Sequence, residues 1–338
     1  MHSIIAELFD RFKNEKSEFE TSLGDDTKGL LQLYEASFLL MRGEDTLELA
    51  REFSTKCLKE KIENEGIDRG IFMDEHLSIL VHQALELPLH WSVLRRNTRW
   101  FINAYEIKPN MNLIVLELAK LDFNIVQATH QGELKQLSRW WEQKRLSQKM
   151  PFARDRLWAD LCRTYLQEAT WHSMGYKPKL QEYINNAWIS ISAPVILTHA
   201  YFFVTYPIDN HAIKSLYEYH NIIRCSSIIL RLANDLGTSL DEMKRGDVPK
   251  AIQCYMNESG ASVDESQDYV RFLIHETWKE MNEEREPAIC AFQKEFVTAA
   301  VELGRMAQYV YQYGDSHGMH FPQMKESIMS SLFEPAKL

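Results

Sequence analysis

Apolar residues recur every three or four positions along most of the 338-residue chain, the spacing of a helix face. Leu30, Tyr34, Phe38 and Met41 form one stripe, with Asp25-Asp26-Thr27 before it as a cap and Gly43 closing it. Leu49, Phe53 and Cys57 form another after Asp45-Thr46. Ile213, Leu216, Tyr217, Ile223, Ser227 and Leu230 keep helical spacing across a long segment that runs into Arg231 and Asn234. No alternation of period two persists, so the pattern predicts an all-α fold. Short breaks fall at Leu87-Pro88-Leu89, Lys108-Pro109-Asn110, Met150-Pro151, Gly175-Tyr176-Lys177-Pro178, Tyr206-Pro207 and Gly246-Asp247-Val248-Pro249, as between packed antiparallel helices. A domain boundary is expected near residues 63–72, where Glu63–Gly70 is polar and holds two glycines.

Composition supports the helical reading. The 13 Gly and 10 Pro are too few for an all-β sandwich or propeller, and 45% hydrophobic residues with 8 Trp, 14 Tyr and 16 Phe supply an aromatic-rich interior. A net charge of −10 argues against general affinity for nucleic acid or an anionic membrane, while leaving room for a local positive pocket that takes a small anion. The five cysteines are widely spaced with no CxxC, which fits a reducing compartment rather than a disulfide framework or a zinc site. The charged N-terminal stretch lacks a secretory core, and no apolar run is expected to approach a membrane span. The expectation is a soluble intracellular protein, cytosolic for the chain as it stands.

Candidate chemistry concentrates in Arg231-Leu-Ala-Asn234-Asp-Leu-Gly-Thr238-Ser-Leu-Asp-Glu242. Asn234, Thr238 and Glu242 are spaced i, i+4, i+8, so a helix presents their oxygens in a row, as half a site for Mg²⁺ shared with a substrate phosphate. Arg231 lies near the same face, and Lys250, past the Gly246–Pro249 break, adds a second, mobile cation. From spacing alone, the competing reading is helix-end chemistry with Glu242 on a solvated face. Arg154-Asp155-Arg156 offers two guanidinium forks that converge on one anion if the segment is extended, or an ordinary surface ion-pair cluster.

The order of motifs then matters. Leu87-Pro88-Leu89-His90-Trp91, Arg99-Trp100-Phe101-Ile102, Gln127-Ala128-Thr129-His130-Gln131, Leu137-Ser138-Arg139-Trp140-Trp141, Pro151–Arg156, Arg231–Glu242 and Gly246–Lys250 follow one another as in plant class I terpene synthases. Over nearly its whole length the chain resembles that family, most of all its angiosperm monoterpene branch. The resemblance implies Mg²⁺- or Mn²⁺-dependent ionisation of a prenyl diphosphate, geranyl diphosphate favoured, followed by cyclisation or proton loss in an aromatic-lined pocket. It implies Asn234, Thr238 and Glu242 as metal ligands, and Arg154, Arg156, Arg231 and Lys250 as diphosphate-binding cations. It also implies Tyr311 and Asp315 as a pair over the pocket mouth, and a plastid stroma location for a precursor with a transit peptide.

The sequence departs from the family pattern in two places. The N-terminal half of the family's first helical domain, with its tandem-arginine tryptophan motif, is not found. The family's aspartate-rich DDxxD, which holds the other two metals, is missing: Arg154–Leu157 runs directly into Trp158-Ala-Asp-Leu-Cys162, segments that the family separates by several helices. Asp25-Asp26-Thr-Lys-Gly29 and Asp264-Glu265-Ser-Gln-Asp268 are imitations; the first is read as an N-cap and the second as a capping box with Ser262. The expected organisation is therefore a partial N-terminal helical domain over 1–70 and a catalytic bundle over 71–338, with an internal deletion near 157/158. Three outcomes stay open: a monoterpene synthase, a sesquiterpene synthase acting on farnesyl diphosphate, or a degenerate, non-catalytic helical binding protein.

Overall fold

In the computed structural model of the protein, the described residues are 13, 19, 21–65, 75–144, 156–246, 248–286, 290–312, 314 and 322–338. Among them the only strand-like pairing is an isolated bridge between Lys13 and Phe19, and helices make up the rest of the regular structure. The all-α expectation holds. Contacts divide the chain into one unit of Met1–Ala128 with Met329–Leu338, and another of Thr129–Ile328.

The first unit contains α1 (Thr27–Ser37), α2 (Asp45–Glu65), α3 (Glu75–Glu86), α4 (Leu94–Glu106) and the start of α5 (Leu113–Lys144), within which the division falls. Asp26 caps α1 as expected, its carboxylate accepting from the Gly29 amide at 2.9 Å. The helix stops at Ser37, well before Gly43; Phe38 is its C-cap, and its ring meets Trp91 edge-on at 4.8 Å. On α2 the buried face is Ala50, Ser54 and Leu58, one residue beyond the predicted stripe, and Leu49 is 45% exposed. Ala50 and Ser54 are small and fully buried, on a helix that packs against α1.

The Leu87–Trp91 break forms a 3₁₀ turn over Leu89–Trp91, and the Leu89 amide donates to Glu35 Oε2 at 2.9 Å. The chain's last residues are fastened to α5. Asn124 exchanges two hydrogen bonds with the Ala336 backbone at 3.0 and 2.7 Å, and Gln127 donates to the carbonyls of Ser331 and Glu334, each at 3.2 Å.

The second unit holds α6 (Trp158–Met174), α7 (Leu180–Ser190), α8 (Ala193–Val204), α9 (Asn210–Tyr217), α10 (Asn221–Arg245), α11 (Ala251–Ser259), α12 (Val263–Glu284) and α13 (Lys294–Val310). The last helix, α14 (Pro322–Leu332), crosses the second division. α10 is the centre of this bundle and packs against α7, α8, α11, α12 and α13. Its Ile222, Ile223, Ile229 and Leu232 are fully buried. The single long segment expected over 213–230 is two helices: Tyr219 adopts a left-handed φ of 56°, and His220 caps α10 by accepting from the Ile222 amide.

Two further expectations meet the structure differently. Leu180–Val204 is long and apolar enough, by length and composition, to cross a membrane, contrary to the expectation that no run comes close. It is two helices, α7 and α8, parted at Ile191-Ser192 where Ser192 has a φ of 68°, and both pack against α10. The aspartate-rich imitation behaves as read: Ser262 caps α12, its amide donating to Glu265 Oε2 at 2.8 Å while its hydroxyl accepts from the Glu265 amide at 3.3 Å.

Burial of Glu35 pushes its carboxyl up to about 7, against a smaller pull downward from the Leu89 amide. The folded chain thus holds this proton more tightly than the unfolded chain, so the first unit loses stability as pH rises from the ordinary glutamate value of 4.5 through 7. Glu35→Gln keeps an acceptor for Leu89 and removes the charge. The variant should melt higher than the parent chain at pH 8 and match it at pH 4; equal midpoints at pH 8 would contradict the burial argument.

Candidate functional site

The predicted oxygen row lies on one helix, α10, whose rise of roughly 1.5 Å per residue spreads Asn234, Thr238 and Glu242 along two turns. Thr238 is buried, and Asn234 and Glu242 are half-buried. The Thr238 hydroxyl donates to the Asn234 carbonyl at 2.9 Å, leaving its lone pairs available to a cation. One turn earlier, buried Arg231 uses one guanidinium nitrogen to donate to both Asn234 Oδ1 and Asp235 Oδ1. Burial works against the Arg231 charge, but Asp235, Tyr183 and Glu168 more than offset it and hold the guanidinium above the ordinary arginine value.

Lys250 arrives from the other side of the Gly246 turn as the N-cap of α11. It is not the mobile cation expected from sequence. Its ammonium lies 3.5 Å from Glu168 of α6, and both side chains are largely buried. Glu168 is held in turn by the Ser190 hydroxyl at 2.5 Å and the Asn186 amide at 3.2 Å. Gly237 explains how the chain after α13 approaches. A Cβ there would stand 2.9 Å from the Tyr311 carbonyl oxygen and 3.2 Å from that of Gly314, so only glycine leaves room for this backbone next to the oxygen row.

Two buried polar atoms at this place have no hydrogen-bond partner: Nε of Arg231 and Oε2 of Glu242. Leaving a buried donor and acceptor unmade costs on the order of 1–3 kcal/mol each. One is a cation's donor and the other a carboxylate's acceptor, so a metal diphosphate, which has an anionic and a cationic part, is a ligand able to satisfy both. The donor set of amide, hydroxyl and carboxylate oxygens fits a hard divalent cation. Burial raises the Glu242 carboxyl, and Asp235 raises it further, while Lys250, Arg231 and Thr238 pull it back.

The structure thus gathers Arg231, Asn234, Thr238, Glu242 and Lys250, with the Tyr311 backbone against the same helix. It does not bring Arg156 to them. Arg156 precedes α6, with its Nε 3.5 Å from Asp160 and its guanidinium 4.0 Å above the Tyr217 ring and 5.2 Å from that of Tyr219. Those rings lie just before Asn221, the start of α10, and Asn234 comes thirteen residues later, roughly 20 Å along the axis. An arginine side chain does not span that distance. Arg154, Asp315 and the Met150-Pro151 break lie outside the described residues, as does residues 66–74 of the expected boundary region.

Sequence reasoning missed three members of the site. Asp235 stood inside the Arg231–Glu242 stretch, but nothing local marks it as the buried acceptor; Glu168 and Tyr183 belong to helices far away in sequence.

Because Glu242 is raised mainly by burial, its ionisation opposes folding from pH 4.5 upward in the absence of a cation. Glu242→Gln should therefore raise the melting midpoint in metal-free buffer at pH 7, with the difference closing near pH 4. It should also abolish stabilisation by added Mg²⁺. Thermal scans with and without MgCl₂ check both signs, and a variant stabilised by Mg²⁺ as strongly as the parent would remove Glu242 from the site.

Comparison with known proteins identifies the family. The family model described as "Terpene synthase family, metal binding domain" matches residues 133–280, and "Terpene synthase, N-terminal domain" matches residues 1–85. Myrcene synthase, chloroplastic, from Quercus ilex is 42% identical over 438 residues, covering 100% of this chain and 72% of its own length. That alignment runs over 438 positions against the 338 residues present here, so 100 positions of the relative stand opposite no residue of this chain. Limonene synthase, chloroplastic, from Coffea arabica is 42% identical over 431 residues, covering 97% of this chain and 70% of its own. Among solved structures, limonene synthase with 2-fluorolinalyl diphosphate superposes with a TM-score of 0.85 at 39% identity, covering 97% of this chain and 78% of that one. Isoprene synthase from grey poplar (Populus x canescens), in complex with three Mg²⁺ ions and dimethylallyl-S-thiolodiphosphate, gives 0.82 at 31%, covering 97% and 80%. With two family domains matched in order and relatives aligned along its full length, the chain belongs to the terpene synthase family.

Proposed function

We propose that this chain binds a prenyl diphosphate, geranyl diphosphate in the first place, through a divalent cation, Mg²⁺ or Mn²⁺, held by Asn234, Thr238 and Glu242. Arg231 and Lys250 take the diphosphate oxygens, and Arg154 joins them on the family resemblance. Tyr311 and Asp315 are assigned to the pocket mouth. The observation that carries this reading is the pair of unpartnered buried atoms, Arg231 Nε and Glu242 Oε2, on the face that bears the oxygen row.

The reaction proposed for an intact site is heterolysis of the carbon–oxygen bond to give an allylic cation and free diphosphate, then loss of a proton, directly or after cyclisation, to give a neutral monoterpene. When bound, the cation supplies Lewis-acid stabilisation of the departing charge. The chain's own contribution is preplaced donors: Arg231 and Lys250 sit in a largely buried setting where hydrogen bonds to a developing anion are stronger than in water. A plastid setting follows for a form that carries a transit peptide, in line with the designation of the Quercus ilex and Coffea arabica relatives as chloroplastic.

We further propose that the absent positions fall between Leu157 and Trp158 and include the aspartate-rich metal motif. Supporting this, α6 starts at Trp158 with an outward row of Trp158, Cys162, Tyr165, Leu166 and Ala169, all exposed, with Leu166 at 67%. Helical spacing of that kind marks a face built to be covered. Cations lost with that segment leave much diphosphate charge uncompensated, so turnover is set far below binding.

Two measurements test this. Calorimetry should show Mg²⁺-dependent binding of geranyl diphosphate. Gas chromatography should show monoterpene formation about a hundredfold or more below Quercus ilex myrcene synthase assayed alongside, the scale set by losing transition-state charge stabilisation. Absence of Mg²⁺-dependent binding would refute the site, and turnover equal to the relative's would refute its incompleteness. Separately, sequencing the gene between the codons for Leu157 and Trp158 should reveal an open frame encoding Asp-Asp-x-x-Asp; codons that abut directly in genomic DNA would refute a segment lost in processing the message.

A further inference from the structure

Asp235 has no surface in contact with solvent, yet it is a carboxylate in the middle of the helix that carries Arg231, Asn234, Thr238 and Glu242. A buried charge is tolerated only when paired and fully hydrogen-bonded. Each of its oxygens is used. Oδ1 receives Arg231; Oδ2 receives the Tyr183 hydroxyl at 2.8 Å and the Ala251 backbone amide at 3.1 Å. These donors come from three helices: α10 itself, α7 and the first residue of α11.

What the three donors share is their effect on the site's cations. Arg231 is fixed by Asp235 so that one nitrogen also reaches Asn234 while Nε is left without a partner. The Ala251 amide is the residue next to Lys250, so its bond to Asp235 sets where α11 begins and where the Lys250 side chain departs toward Glu168. Tyr183 closes the remaining lone-pair direction and keeps water from it.

We infer that Asp235 is a positioning residue for the anion-binding half of the site: it presets Arg231 and Lys250 at a fixed separation before ligand arrives, so that little ordering is left to be done on binding. It touches neither substrate nor metal in this scheme and acts through the two cations. The inference rests on the diphosphate reading proposed above, and its test separates the two.

The variants are Asp235→Asn, which keeps the shape and removes the charge, and Tyr183→Phe, which removes one hydrogen bond and leaves the ion pair. Because Asp235→Asn strands the buried Arg231 charge and can unfold the bundle, Tyr183→Phe supplies the second arm. Hydrogen–deuterium exchange of the ligand-free chain reads the positioning directly: peptides covering residues 248–254 should exchange faster in either folded variant, and unchanged exchange in Tyr183→Phe would overturn the inference whether or not diphosphate binds. Calorimetry with inorganic diphosphate and MgCl₂, well below every melting midpoint, reads the consequence. Affinity should fall about tenfold in Asp235→Asn and severalfold in Tyr183→Phe, the scale of one or two hydrogen bonds. If the parent chain binds and both folded variants bind within twofold of it, Asp235 is a packing residue and the inference fails. If the parent chain does not bind, the diphosphate reading fails, and the exchange experiment alone decides whether Asp235 positions α11.

Discussion

The second unit depends on one buried charge pair. Arg231 and Asp235 sit four residues apart on α10, the helix that most of the bundle packs against, and neither could be there alone. Removing one partner of such a pair leaves an uncompensated charge in a low-dielectric interior, at a cost of about 3–5 kcal/mol, a large fraction of the stability of a whole domain. Replacing both with apolar residues is often harmless to stability. The pair is therefore better explained by what it arranges than by what it stabilises: it keeps a guanidinium with a spare donor at a place from which water is largely excluded.

The same helix shows how function and packing share residues. Toward α8, α12 and α13 it presents isoleucine and leucine; in its second half it presents Asn234, Thr238 and Glu242. Gly237, within that second half, has no side chain and so admits the Tyr311 backbone next to the oxygen row. Glu242 is held partly buried, with one oxygen unused, which makes the ligand-free helix less stable than its packing alone would make it. Strain of this kind is common where a fold is prepared for a charged ligand.

Legibility followed sequence distance. Helix starts were readable because a cap is a local event: Asp26 and Ser262 both bond to amides three residues away. The row Asn234, Thr238, Glu242 was readable for the same reason, since α-helical spacing alone places it. Where the reading slipped, a distant partner decided. Leu49 and Phe53 are more hydrophobic than Ala50 and Ser54, but it is the smaller pair that the packed helix buries completely. Lys250 follows a glycine turn and resembles a free cation until Glu168, eighty-two residues earlier, is found beside it. Arg156 matches a family motif, yet Tyr217 and Tyr219 engage it at the opposite end of α10 from the oxygen row. No periodicity encodes such meetings.

The fastening of the C-terminal residues to α5 has a consequence for how this protein comes into being. The first unit is discontinuous in sequence: Ser331, Glu334 and Ala336, which occupy the hydrogen-bonding groups of Asn124 and Gln127, are synthesised only after the whole of the second unit. Domains ordinarily close in the order in which they are made. Here the first unit waits with part of α5 unsatisfied while some two hundred intervening residues are synthesised. The second unit, continuous in sequence, has all its own residues available before the first unit has its last ones.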